Sequence, residues 1–267
     1  MEKRKVCSTF KMRKVNHFIT MVFLFSLTSC GLSGNLDKKT ENIPGTNMES
    51  PELFNRILAL NASGIGNSAQ VIIVTNDTIN STGALIQTFE KKDRGWVKKF
   101  SDFKGSVGYH GFSPFQEKRE GDNTSPTGIF DLGPVFGYDK QVTTQMAYRQ
   151  STEKDFWIDD TNSDDYNKWV TLESPPTVSH EKMKRNDDLY KLGIVVQYNT
   201  QHIVKGNGSA IFVHIQRETG HPTAGCVALS EVNLLQIIQW LQPDKKPIIV
   251  MGTESELHSK ALNSNAF

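Results

Sequence analysis

Residues 71 to 75 read VIIVT, an unbroken apolar run rich in β-branched side chains and too short for a buried helix. Such a run predicts a strand covered on both faces. ALIQTFEK, from Ala84, and WVKKF, from Trp96, follow it with KDRG between them, a strand, turn and strand pattern that predicts a hairpin near Gly95. Further β-branched stretches predict strands at GIFDLG near Ile129, LGIVVQYN from Leu192 to Asn199, SAIFVHIQ from Ser209 to Gln216, and KPIIVMG from Lys246 to Gly252. One segment has a clear helical period: Ser230 is a good N-cap, Glu231 puts negative charge in the first turn, and Leu234, Leu235, Ile237, Ile238 and Leu241 form an apolar stripe that Pro243 stops. Between about Gly105 and Lys191 the chain is dense in Gly, Pro, Asp, Asn and Ser, so long loops are expected there. No repeat and no sharp boundary interrupts the pattern, which predicts a single, mainly β domain with few helices.

The N-terminus changes that picture. Arg13 and Lys14 precede an apolar run from Phe18 to Leu27, suited to the hydrophobic region of a secretory signal and too short for a resident membrane span. It ends in Leu27, Thr28, Ser29 and Cys30, which resemble the bacterial lipobox, whose cysteine carries the lipid after cleavage. Residues 1–30 are therefore expected to be a signal peptide with its lipidation site at Cys30, with Met12 as an alternative start. Residues 31–69 are rich in Ser, Asn, Lys, Gly and Thr and predict a flexible tether, broken only by the short periodic piece PELFNRILAL. The main domain is expected at 70–252, and 253–267 as a C-terminal tail. Lys plus Arg number 30 against 29 acidic residues in 267, so charge points to no nucleic-acid partner. A mean hydropathy of -0.42 excludes a multi-span membrane protein.

Of the three cysteines, Cys7 lies at or before the signal and Cys30 in the lipobox. Cys226 is left as the sole thiol of the exported domain, which excludes a disulfide framework. A free thiol in an oxidising compartment is either fully buried or chemically used. His214 lies twelve positions earlier in SAIFVHIQ, where alternation sends Ile211, Val213 and Ile215 to one face and Phe212, His214 and Gln216 to the other, more polar one. Read by themselves, His214 and Cys226 each favour a structural reading as buried residues. Ala224 and Gly225 leave the backbone beside Cys226 clear for a substrate carbonyl, and His214 or the nearby helix start would help populate a thiolate. His221, on a loop beside Pro222, is a second candidate base. Two histidines and one cysteine give no zinc-like spacing, so no metal is expected.

A histidine on a strand, a loop, and then a small residue, Gly and Cys before a hydrophobic residue resemble the catalytic stretch of the YkuD-type L,D-transpeptidases. KREGDNTSPTGIFDLG (Lys118 to Gly133), WIDD with DDYNKWV, and LGIVVQYN are similar to segments of a divergent branch of that family, and GDNTSPTG and TAGCVAL are the most specific pieces. The resemblance implies a β-sandwich of mixed sheets with one long helix and extended loops. It implies Cys226 as the acylated nucleophile, His214 as general base and acid, and the amides around Gly225 and Ala224 as the oxyanion and substrate contacts. Peptidoglycan stem peptides are the implied partner, with no cofactor. The implied protein is a monomeric lipoprotein anchored by its N-terminal lipid and facing the cell wall. Amine acceptors would make it a transpeptidase and water an L,D-carboxypeptidase, and a non-catalytic wall-binding lipoprotein is the third reading. Much of the family carries an arginine or asparagine two residues past the cysteine, where this chain has Ala228, so the grip on a substrate carboxylate is not assigned. The KREGD and DD clusters are expected to be solvated loops, with Lys118 and Arg119 the candidates for carboxylate contact. Gly121, Pro126 and Gly128 are read as turn residues, and His110 as a possible lining of the cleft.

Overall fold

A computed structural model describes residues 57–59 and 62–259. The expected signal peptide with Cys7, Met12 and Cys30, the tether up to residue 56, and the chain past residue 259 lie outside the described residues.

Strand β1 (Gln70–Asn76) is buried at every position. It pairs antiparallel with β2 (Gly83–Lys92) on one side and parallel with β13 (Ile248–Thr253) on the other. From β13 the ladder continues through β5 (Gly128–Gly137), β10 (Leu192–Val196), β11 (Phe212–Ile215), β12 (Val227–Leu229) and β4 (Phe103–Ser106), and β4 pairs with β2. Eight strands therefore close on themselves as a barrel-like sandwich. Closure gives each of these strands a partner on both sides and leaves no open edge in the ring. The hairpin strand β3 (Gly95–Lys98) extends β2, and β6 (Tyr148–Gln150) flanks β5.

Alternation splits the apolar residues between three cores. Ile72 and Val74 of β1, Phe130 and Leu132 of β5, Ile194 and Val196 of β10, Val213 of β11, and Ile249 and Met251 of β13 point into the ring. Helix α2 (Glu231–Trp240) adds Leu234, Ile237, Ile238 and Trp240 to that interior. The Ser230 hydroxyl accepts the Asn233 amide at 3.4 Å to start it, and Leu241 turns extended to end it. The helix thus stops before Pro243, and Leu235, expected in the stripe, is only partly buried. Each fully buried aliphatic side chain stabilises the fold by about 1.5–3 kcal/mol.

Val71, Ile73, Ile129, Ile248 and Val250 point outward instead. They are covered by Leu257 of α3 (Glu254–Ser259), by Ile65 of α1 (Ala62–Ile65), and by Ile57 and Leu58. Packed chain therefore begins before Val71, inside the stretch read as tether. It continues past Gly252 into a segment read as tail. Double coverage is the physical reason that VIIVT and IIVM lack a polar face.

The stretch between Gly105 and Lys191 departs most from expectation. Besides the ten-residue β5 it forms a separate three-stranded sheet, β8 (Trp169–Thr171), β7 (Asp155–Ile158) and β9 (His180–Lys182), in that order. Strands of three or four residues between long turns carry too few alternations to be seen as periodic. This small sheet covers the outer face of β10 and β11, where Phe136, Trp157, Met183, Tyr190, Val195 and Phe212 form the third core. Phe212 meets Trp157, Phe136 and Tyr190 edge to face at 5.1, 5.3 and 5.4 Å. Each such pair contributes about 0.5–1.5 kcal/mol beyond its buried area.

Candidate active site

β11 and β12 are adjacent parallel strands with His214 opposite Ala228. Cys226 lies two residues before Ala228, so at sheet spacing its Cα is about 8 Å from that of His214. That is within reach of an imidazole. Both side chains belong to the outer face of the ring. The structure puts the expected pair on one cleft, with the hydrogen bonds of the thiol going to backbone and not to His214, and the face is not polar. His214 is 6 % exposed and Cys226 7 %, because the small sheet covers this side with the third core.

The hydrogen bonds around the pair set its chemistry. His214 Nδ1 lies 2.8 Å from the carbonyl oxygen of Ile215, so Nδ1 carries the hydrogen and Nε2 keeps its lone pair. The Tyr190 ring stands edge-on to the imidazole at 5.3 Å. The Cys226 thiol donates to Ala210 O and accepts from the Phe212 amide, both at 3.3 Å. Burial holds the His214 pKa down at about 4, helped by the Arg185 charge and opposed by the Ile215 carbonyl. Burial likewise pushes the Cys226 thiol up to about 12, a rise that the Phe212 amide, Lys118 and Arg185 only partly offset. The resting pair is a neutral thiol beside a neutral imidazole, not a preformed thiolate.

The turn carrying Cys226 is held by residues that sequence reasoning passed over. Thr223 Oγ1 donates to Cys226 O at 2.6 Å and accepts the Gly225 amide at 3.1 Å. Ser125 Oγ donates to Gly225 O at 2.7 Å and itself receives the Gly108 amide at 3.0 Å. Gly225 has φ +148°, and a Cβ there would lie 2.9 Å from Thr124 O. Only glycine suits that position. GDNTSPTG is therefore more than turn chemistry: its serine clamps the turn carrying Cys226 from a hundred residues away. The specificity of that motif was the one signal pointing to it.

Thr124 and Ser125 follow a carboxylate hub. Asp122 accepts from Lys118 Nζ at 2.6 Å, Arg119 N at 2.7 Å, Thr124 N at 2.9 Å and Thr124 Oγ1 at 2.8 Å. Burial alone would raise its pKa, but the Lys118 ammonium and these amides hold it down. The solvated-loop reading of KREGD thus fails at Lys118, which is only 4 % exposed. An ammonium with a carboxylate partner can be buried where an unpaired one cannot.

His214, Cys226 and Gly225 line one cleft of about 370 Å³, with the exposed Ala224 at its surface. Lys118, Glu120, Glu181, Arg185, Tyr190, Arg217 and His221 line it too. Arg185 pairs with Asp187 at 2.8 Å and Glu181 at 3.1 Å, and its guanidinium lies 5.0 Å over the Tyr190 ring. His221 faces the cleft with Nδ1 tied to Pro222 O at 2.8 Å. His110 is exposed, outside the lining, and bonds the Asp122 carbonyl at 2.8 Å. Among the described residues, no group of three or more His, Cys, Asp or Glu is placed to hold a metal ion.

The family model of the YkuD L,D-transpeptidase catalytic domain matches residues 70–250. No curated protein matches this chain. Two solved structures align with it, the helical cell shape determining protein Pgp2 from Campylobacter jejuni and a single-substitution mutant of the same protein. Each is 16 % identical over 77 % of this chain and 59 % of that one, with TM-scores of 0.38 and 0.39. The chain thus spans about three fifths of the length of those proteins.

Proposed function

The chain belongs to the family of YkuD L,D-transpeptidase catalytic domains, and on that footing we propose that it is a cysteine-dependent L,D-transpeptidase acting on peptidoglycan tetrapeptide stems. Membership carries the wall peptide as substrate class and a wall-facing compartment. The observation that supports the finer reading is the shared cleft of Cys226 and His214, in which a tethered Nδ1 leaves Nε2 as the proton acceptor.

Cys226 Sγ attacks the carbonyl carbon of the stem's third residue while its proton passes to His214 Nε2. A neutral pair needs no charge separation until substrate arrives. The developing oxyanion takes the Cys226 amide; the Gly225 amide joins it on releasing Thr223 Oγ1. Collapse breaks the C–N bond, and His214 returns the proton to the leaving D-alanine amine. An acceptor amine then attacks the thioester, gives its proton to His214, and Cys226 leaves and recovers a proton. The product is a cross-link between two third residues. Cys30 as the lipid-bearing residue and a monomeric protein complete the proposal, and fatty-acid labelling lost in Cys30→Ala tests the anchor.

The decisive experiment is mass spectrometry of the chain incubated with disaccharide-tetrapeptide, reading protein and muropeptide masses together. A thioester adduct absent from Cys226→Ala and His214→Ala, with cross-linked dimers as product, is the expected result. Tripeptide alone makes water the acceptor and the protein a carboxypeptidase. Neither adduct nor product from folded protein overturns catalysis in favour of wall binding.

A further inference from the structure

We infer that Lys118 anchors the free α-carboxylate at the C-terminus of the peptide substrate. The identity of that peptide rests on the acyl-transfer reading above; the site itself rests on what surrounds the ammonium.

Lys118 Nζ is buried and lines the same cleft as Cys226 and His214. An ammonium has three N–H donors. Two go to Asp122 Oδ1 at 2.6 Å and Arg119 O at 3.0 Å, which leaves one for a ligand. The holder is rigid. Asp122 is fixed by three further donors from Arg119 and Thr124. The lysine stem lies against Gly208, where a Cβ would come within 3.0 Å of its Cγ and 3.1 Å of its Cε. The Gly208 amide donates to Tyr166 Oη at 3.1 Å, whose hydroxyl donates in turn to Glu120 Oε2 at 2.5 Å. Loop 118–124 also abuts the nucleophile turn, since Thr124 O is the atom that a Gly225 Cβ would strike.

The other cations of the cleft are less suited. Arg185 has Nε and Nη2 on Asp187 and Nη1 on Glu181, so its charge is already shared between two carboxylates. Arg217 is half exposed and shares Asp187 at 3.1 Å. Ala228, at the position where much of the family has an arginine or asparagine, is buried between His214 and Ser106 and offers a methyl group. Lys118 is therefore the most deeply buried of these cations, held by a single carboxylate and with one donor to spare. Charge-assisted hydrogen bonds of this kind are the strong ones.

Binding to the full chain bearing Cys226→Ala tests the inference without turnover. Calorimetry compares disaccharide-tetrapeptide ending in D-alanine with the same peptide as its C-terminal carboxamide. The acid is expected to bind about 10- to 100-fold tighter than the amide. Lys118→Met should bring the acid down to the affinity of the amide and leave the amide unchanged. If a half-buried Asp122 left without its partner prevents that variant from folding, Lys118→Met with Asp122→Asn removes both charges and makes the same comparison. Equal affinity for the two peptides, no binding of either, or a preference that survives loss of Lys118 overturns the assignment. Failure of the acyl-transfer reading shows separately, as no adduct on the Cys226-bearing protein.

Discussion

His214 and Cys226 are buried enough that both rest uncharged, and this sets how activity depends on pH. In the proposed reaction His214 must be neutral to accept a proton. Its folded pKa of about 4 keeps it so down to mildly acidic conditions, and the imidazolium forms only as pH falls through that value. The acid limb of kcat/KM is therefore expected near pH 4, not near the ordinary histidine value of about 6.5. A limb near 6.5 would mean that the imidazole is open to water. On the alkaline side the thiol stays protonated to about 12, so alkylation of Cys226 by iodoacetamide should show no inflection between about pH 5 and 9. Gly225 is a second residue-scale constraint. With φ +148° and Thr124 O within 2.9 Å of a Cβ, Gly225→Ala should lower stability by about 1–3 kcal/mol in a denaturant titration and cost most of the activity.

At the scale of elements, the cleft is held from two sides by single polar residues. Ser125, from the loop before β5, clamps Gly225 O and receives Gly108 N. Ser125→Ala removes a buried donor and is expected to cost about 1–3 kcal/mol by thermal unfolding. It should also lower kcat of the proposed reaction more than it raises KM, because the turn carrying Cys226 loosens while the cleft walls stay. Asn167 does the matching work for the small sheet. Its Oδ1 receives Trp157 Nε1 at 2.9 Å and the Ala210 amide at 3.1 Å, and its Nδ2 donates to the carbonyls of Tyr198 and Asn199. Ala210 is the residue whose carbonyl accepts the hydrogen bond of the Cys226 thiol. Asn167→Ala therefore strands several buried partners, and a loss of about 2–4 kcal/mol is expected.

Across the whole molecule, the closed ring and the small sheet differ in how they are held. Each ring strand has two ladders and an interior filled by α2, whereas the small sheet has its own ladders and joins β10 and β11 through side chains. Hydrogen exchange should find β1 and β13 the slowest amides and β7 to β9 opening first. Opening of the small sheet uncovers the third core, and with it Cys226. Amide exchange in β7 to β9 should then be faster in Asn167→Ala than in the parent while β1 exchange changes less. Equal acceleration of both would make the molecule one cooperative unit.

Six of the eight ring strands were legible from local pattern, whereas β4 and β12, of four and three residues, were too short to show a period. VIIVT, LGIVV, IFVHI and PIIVM are dense in β-branched residues and long enough to show their period, and α2 announced itself by cap, stripe and proline. Alternation along β11 also put Val213 and His214 on opposite faces correctly, since side-chain direction follows from backbone geometry alone. What lies over each face is a different matter, because it depends on segments far away in the chain. The small sheet, built from short strands in a stretch read as loops, turned the polar side of β11 into a buried core. That burial makes both His214 and Cys226 neutral. In the same way KREGD reads as solvated by its charge, yet folding brings Lys118, Asp122 and Ser125 against a turn a hundred residues later. Residue identity and period are local quantities, whereas desolvation and charge pairing are set by tertiary contact.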